Sequence, residues 1–98
     1  MKKITSEAVK NFLNSTNFRK DNTKVEVLEN VTILKLYDNS IAYKYNDPKE
    51  TLSITMAGWI TNTTKERLNG IPGVNLSTKK GILYLNGSAW DGKIIDVK

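Results

Sequence analysis

The residues best placed to do chemistry in this chain lie between Thr61 and Arg67. Three hydroxyls (Thr61, Thr63, Thr64) are followed by Lys65 and Arg67 in a stretch that reads as the start of a short helix. Free amides and the positive end of a helix dipole attract phosphate at such a place. Thr63 and Glu66 also stand at the spacing of a capping box, in which the hydroxyl meets an amide one turn on and the carboxylate reaches back. A box that satisfies those amides leaves less for a ligand, and the glycine-rich loop of phosphate-binding motifs is missing. Capping is therefore the stronger expectation here.

A second pair of cations, Lys79-Lys80, falls at a turn. If it converges with Lys65 and Arg67, the four residues make one electropositive edge, suited to phosphates or to an acidic protein surface. Tyr43, Tyr45, Tyr84, Trp59 and Trp90 offer rings on which unpaired bases stack. Aromatics that alternate along strands more often belong to a core, however, and no named nucleic-acid motif is present. Trp59 and Trp90 both fall in glycine-containing turns. Exposed, they would anchor a protein interface, where tryptophan and arginine dominate the binding energy; buried, they would pin two loops to the core. The expected binding residues are thus Trp59, Lys65, Arg67, Lys79, Lys80 and Trp90.

Catalysis has little to work with. The chain has no cysteine and no histidine, which removes thiolate nucleophiles, disulfides, Cys/His zinc sites and histidine general bases. Asp38, Asp47 and Asp91 fall in turns, where aspartate is favoured for its bonds to nearby backbone. Nothing pairs two carboxylates for acid–base work, and no calcium or magnesium loop is present. A non-enzyme with no cofactor and no metal is expected.

Ninety-eight residues, 39% of them hydrophobic, make one domain over 1–98 with room for a modest core. No run approaches the roughly 18 apolar residues that span a membrane. The amino terminus lacks the apolar segment of a signal peptide, so a cytoplasmic place and no membrane partner are expected. Fifteen basic against ten acidic residues give a net charge of +5, which favours anionic partners modestly and speaks against a DNA mimic. The lysine- and asparagine-rich composition of AT-rich genomes accounts for the same balance equally well.

The elements that must position these residues are read from periodicity. Ala8, Val9, Phe12 and Leu13 form a narrow amphipathic stripe, with Thr5 or Ser6 as cap and Glu7 in the first turn. Arg19 to Asn22 reads as an exposed connection. Strands follow over Val25–Val27, Val31–Tyr37 (central, because both faces are largely apolar), Ile41–Tyr45 and Leu52–Met56, with a turn at Asp38-Asn39-Ser40. After the helix begun near Thr63 and stopped by Asn69-Gly70 and Pro72-Gly73, further strands are expected over 74–78 and 82–85. Asn86-Gly87 is a type I′ signal, but the residues after it suggest a wider loop. Ile94–Val97 is a candidate last strand. The fold class is α+β: a mainly antiparallel sheet in the order α-β-β-β-β-α-β-β-(β), with one amphipathic helix packed on it and a short second helix.

A tryptophan, then Thr61-Asn62-Thr63-Thr64-Lys65-Glu66-Arg67-Leu68-Asn69, Leu83-Tyr84-Leu85-Asn86-Gly87 and Trp90-Asp91-Gly92, resembles a group of short bacteriophage-encoded accessory proteins. Ala8-Val9, Phe12, Phe18 and Asn22-Thr23 resemble their amino-terminal part. The resemblance spans nearly the whole chain and implies a phage accessory protein acting in the host cytoplasm; it carries no site residues with it. The expected function is non-catalytic binding of a host protein or protein–nucleic-acid complex, with counter-defence of the anti-CRISPR kind as one form. The alternatives are a nucleic-acid-binding accessory protein and a sponge for an anionic signalling nucleotide, which would need pockets lined by arginine and lysine.

Overall fold

The structure, a computed structural model, describes residues 1–97. Its elements run α1 (Lys3–Leu13), β1 (Phe18–Lys20), β2 (Thr23–Val27), β3 (Val31–Leu36), β4 (Asn39–Tyr45), β5 (Leu52–Ile54), α2 (Asn62–Leu68), β6 (Leu76–Lys79), β7 (Ile82–Leu85), β8 (Ser88–Ala89) and β9 (Ile95–Asp96). The α+β class read from the sequence holds. Strands β1 to β5 form an antiparallel meander, and β9 joins the free edge of β5, giving a six-stranded sheet. Strands β6, β7 and β8 make a separate three-stranded sheet, a division not visible in the periodicity.

Helix α1 lies on one face of the large sheet because Thr5, Ala8, Val9 and Phe12, at positions i, i+3, i+4 and i+7, are all buried. The facing residues of the sheet are Val25, Leu34 and Leu36, which alternate as the period of a strand requires. In β4 the alternation breaks. Leu34 pairs with Ala42 but Lys35 with Ser40, so Ile41 is an extra residue. This bulge lets the adjacent Ile41 and Ala42 both be buried. Strand β3 is central, as its composition suggests, with β2 and β4 on either side.

Several local expectations give way to stronger chemistry. Helix α1 starts at Lys3 with Lys2 at the cap position and no side-chain cap, because Thr5 is drawn into the core instead. Arg19 to Asn22 is not simply a connection. Arg19 and Lys20 extend β1 along β2, and the chain reverses at Asp21-Asn22. The hairpin between β3 and β4 turns on Tyr37-Asp38 rather than on Asp38-Asn39-Ser40, with both φ angles positive (49° and 65°). Asn86-Gly87, with φ of 51° and 87°, makes the tight turn its residue types favour, and β7 pairs directly with β8 across it.

Helix α2 begins two residues earlier than the Thr63–Glu66 spacing implies. Thr61 is the cap, extended at φ −119° and ψ 159°, and its hydroxyl accepts from the Thr64 amide at 3.1 Å. Glu66 does not reach back to cap; it turns toward α1, where Thr5 Oγ1 donates to it. The helix ends against α1 at Gly70. A Cβ there would sit 2.6 Å from Thr5 Cγ2 and 2.9 Å from Val9 Cγ2, both on short β-branched side chains that cannot swing aside.

Gly70→Ala is therefore expected to lower the unfolding free energy by about 1–3 kcal/mol through overpacking. Thr61→Ala should lower it by about 1 kcal/mol through loss of the cap. Thr63→Ala should stay within about 0.5 kcal/mol, the range of a neutral surface change. Urea melts of the three variants check the order; equal losses from Thr61→Ala and Thr63→Ala would contradict the assignment of the cap.

Candidate functional site

Arg67, expected at the surface, is 4% exposed, and this corrects its place among the binding residues. Its Nε donates to Thr23 Oγ1 at 3.0 Å, and one terminal nitrogen donates to Thr5 Oγ1 at 2.9 Å and to Glu66 Oε1 at 3.1 Å. The other reaches toward Asn22 Oδ1 at 3.4 Å. The guanidinium thus joins α1, the β1–β2 turn, β2 and α2 from inside. The physical reason is the donor fork: a planar group with several fixed N–H directions can satisfy partners on several elements at once.

The remaining cations divide. Lys65 Nζ donates to Thr78 Oγ1 on β6 at 2.5 Å, which brings α2's lysine to the strand that leads into exposed Lys79 and Lys80. Lys65 is therefore held at the β6–β7 hairpin that also carries Lys79 and Lys80, although strand alternation turns Thr78 and Lys79 to opposite faces. On the open face of the large sheet, Lys24 and Lys35 pair with Glu26 at 3.5 and 3.2 Å. The hydrogen bond from Lys35, then its charge, holds the Glu26 carboxyl below the ordinary glutamate range. Beside them Tyr43 and Tyr45 stack on each other, with centroids 6.2 Å apart and planes 14° from parallel. Their facing ring surfaces are already used, and the two lysines beside them share one glutamate, which leaves this sheet face only a small positive excess for unpaired bases.

Trp59 lies elsewhere, on an apolar surface. The chain reverses over Met56–Trp59, where the Trp59 amide donates to the Met56 carbonyl at 2.9 Å and Ala57 and Gly58 take φ of 53° and 81°. The turn leaves Trp59 63% and Ile60 56% exposed, while Met56 is buried beneath. Across from it the Tyr37-Asp38 turn holds Tyr37 at 68% exposure. Between the two turns opens a cleft of about 320 Å³, floored by Leu36, Ile41 and Met56 and walled by Tyr37, Trp59 and the first turn of α2. No residue lining it is charged. A second, shallower groove on the other side of the Met56–Ile60 segment is lined by Tyr43, Ile60 and Ile94, with one acid (Asp91) and one base (Lys93).

Trp90 does not join the Trp59 surface as an exposed ring. It is half-buried against the core, and its Nε1 donates to the Lys93 carbonyl at 3.0 Å. Its bonds pin the loop after β8, the structural alternative weighed for it. Tyr37, Ile60 and Ile94 are surface residues that sequence reasoning passed over. The signal for Tyr37 was its place immediately before Asp38 in a two-residue hairpin; Ile60 and Ile94 look like strand residues in one dimension and carry no such signal. Among the described residues no group of three or more Asp or Glu converges as a metal site would need, and no helix is long and apolar enough to cross a membrane.

Fold and surface together describe a small α+β domain with two antiparallel sheets, a lysine-bearing hairpin and a separate cleft without charged lining. Residues 1–93 match the family described as Kyanoviridae Gp96 protein, and the chain belongs to that family of phage proteins. No curated protein and no solved structure matches the chain.

Because Arg67 is an internal group, its removal should act on folding. Taking one partner from a buried, bonded ion pair costs about 3–5 kcal/mol, and the partial exposure of Glu66 places Arg67→Ala toward the lower end. Lys79→Glu with Lys80→Glu should change stability by less than about 1 kcal/mol, since both side chains are exposed. Thermal and urea melts separate the two; a stable, cooperative Arg67→Ala variant would contradict the internal role.

Proposed function

We propose that this phage protein is a non-catalytic accessory factor that binds a host protein, alone or within a protein–nucleic-acid complex, through the face that carries Trp59. The observation that supports this most is the coincidence of exposed Tyr37 and Trp59 with a cleft lined by no charged residue, next to exposed Ile60 on the far side of the same turn. Interface cores are depleted of charge and enriched in aromatic anchors, whereas a nucleic-acid surface needs cations against phosphate. Single exposed apolar residues are ordinary; a contiguous group around a cleft is not.

Backbone conformation points the same way. Tyr37 holds a left-handed φ of 49°, a conformation that costs an L-residue about 1–2 kcal/mol and that glycine, asparagine or aspartate adopts more easily. A bulky aromatic kept there, and kept exposed, is not explained by stability, and strain of this kind gathers at functional positions. Blocking a host defence complex, in the manner of an anti-CRISPR inhibitor, is a form of this function that needs no catalytic group. The nucleic-acid reading draws on Lys65, Lys79 and Lys80, which lie at or beside one hairpin. The nucleotide-sponge reading loses support, because the cleft is uncharged and Arg67 is occupied internally.

Affinity capture from host lysate with the tagged protein tests the proposal. Trp59→Ala should reduce the retained host protein about tenfold or more, as loss of an interface anchor does, with little change in melting temperature. Tyr37→Asn should weaken retention while raising stability by about 1 kcal/mol, through relief of the left-handed strain. Titration against duplex and single-stranded nucleic acid at two salt concentrations tests the other reading, since each phosphate contact adds about −0.9 to the slope of log K against log salt on duplex DNA. Tight nucleic-acid binding abolished by Lys79→Glu with Lys80→Glu, and indifferent to Trp59→Ala, would replace the protein-partner reading.

A further inference from the structure

We infer that the cleft between the Tyr37-Asp38 turn and α2 is a socket for one large apolar side chain, of leucine, methionine or phenylalanine size, presented by the partner protein. The inference rests on the reading of the Trp59 face as a protein interface and goes on to name what that face accepts.

Size sets the first limit. At about 320 Å³ the cleft stands at the low end of ligand pockets, which run from roughly 300 to 1,000 Å³ for drug-sized molecules and cofactors. It suits a single side chain better than a dinucleotide or a lipid. Its floor of Leu36, Ile41 and Met56 consists of buried side chains of the core, so the site is formed before anything binds. The two turns that frame it are tight, and one of them is closed by the 2.9 Å bond from the Trp59 amide to the Met56 carbonyl. A preformed apolar site loses little ordering entropy on binding.

Polar chemistry sets the second limit. The wall from α2 carries threonine hydroxyls, but those of Thr61 and Thr64 lie 2.9 Å apart and bond each other, and Thr61 also receives the Thr64 amide. That pair spends much of its capacity on itself, which leaves the Thr63 hydroxyl as the less engaged one on this wall. A nucleobase has more edge donors and acceptors than these few polar groups can pair, and each one left unpaired in a desolvated place is penalised. Asn39 at the mouth is the one side-chain amide among the lining residues. An apolar side chain makes no such demand. It replaces water against Ile41, Met56 and the ring of Trp59, and the gain grows with the apolar area removed from water.

Charge sets the third limit. The lysines at 79 and 80 lie exposed on a different element, and no acid or base lines the cleft. A partner residue that enters it is therefore uncharged, while acidic groups on the same partner would find their complement at the lysine edge.

The test uses the full chain with ¹³C-labelled isoleucine and methionine methyl groups. N-acetyl-leucinamide, N-acetyl-phenylalaninamide, N-acetyl-glycinamide, adenosine and uridine are titrated separately. Saturable shifts of the Met56 and Ile41 methyls with the leucine and phenylalanine amides, and none with the glycine amide, are expected. Thr63→Trp, which places a ring at the α2 wall, should weaken those shifts about tenfold. Trp59→Ala, which removes the opposite wall, serves the same purpose should the first variant fold poorly. Nucleosides that bind more tightly than the amides would overturn the socket in favour of a base pocket. Shifts of the same methyls on raising protein concentration alone would assign the cleft to a second copy of this chain. A cleft silent to every probe, beside host-protein retention that still depends on Trp59, would remove the socket and leave the interface. Probe binding without any Trp59-dependent host protein would instead count against the interface.

Discussion

The arrangement of this molecule depends on one buried guanidinium. Arg67 bonds hydroxyls at Thr5 and Thr23 and the carboxylate of Glu66, so two helices and the second strand are referred to a single point. An ion pair of this kind adds little net stability over a well-packed apolar filler, because both charges lose water. What it adds is direction. Each donor of the fork has a fixed geometry, and a shift of α2 along its axis or about it would leave several buried polar atoms without partners. Lysine, a point charge on a flexible stem, could not impose that condition.

Fixing α2 at its carboxyl end has consequences at its amino end. Gly70 allows α2 to close on α1 without a side chain between them, and Asn69 bonds the Leu76 amide and carbonyl, so the short helix is tied to the second sheet as well. A helix of seven residues has almost no stability of its own; these ties hold it. Thr61 and Thr64 are then held as one wall of the cleft, opposite a hairpin whose bulge has turned Ile41 into the floor. The apolar face is thus a product of long-range constraints, assembled from residues near 36–41, 56–60 and 61–64.

That explains which parts could be read in the sequence. Elements with a clear period were legible: Ala8, Val9 and Phe12 of the α1 stripe (its fourth expected member, Leu13, is exposed, and Thr5, read as a cap, is buried in its place), central β3 and the turn signal at Lys79-Lys80-Gly81 all depend on neighbours within a few residues. Arg67 was misplaced because a lone arginine on a short helix looks the same whether its partners are water or Thr5, 62 residues away in sequence. The Thr63–Glu66 spacing misled for the same reason: a carboxylate that has a buried arginine and a hydroxyl to bond does not return to cap its own helix. Tyr37 was read as a strand residue because tyrosine favours strands; the two-residue hairpin overrode that preference. Trp59 was legible as a candidate from its turn, but its neighbours in space were not.

The separation of charge from the apolar face has a physical logic of its own. A molecule of net charge +5 attracts acidic surfaces over distances of about a Debye length, roughly 8 Å at physiological ionic strength. Placed inside a binding cleft, the same cations would have to lose their water on contact, at a cost that the new partner seldom repays in full. With Lys79 and Lys80 kept exposed at a hairpin and Arg67 satisfied internally, no cation of the cleft itself stands to be desolvated. On the proposed protein-partner reading, encounter and residence would be governed by different residues: solvated lysines would steer the approach, and Tyr37 and Trp59 would supply contacts that salt does not screen. The strain held at Tyr37 fits that division, since a turn optimised for folding alone would present a smaller, polar residue and leave the cleft without one of its walls.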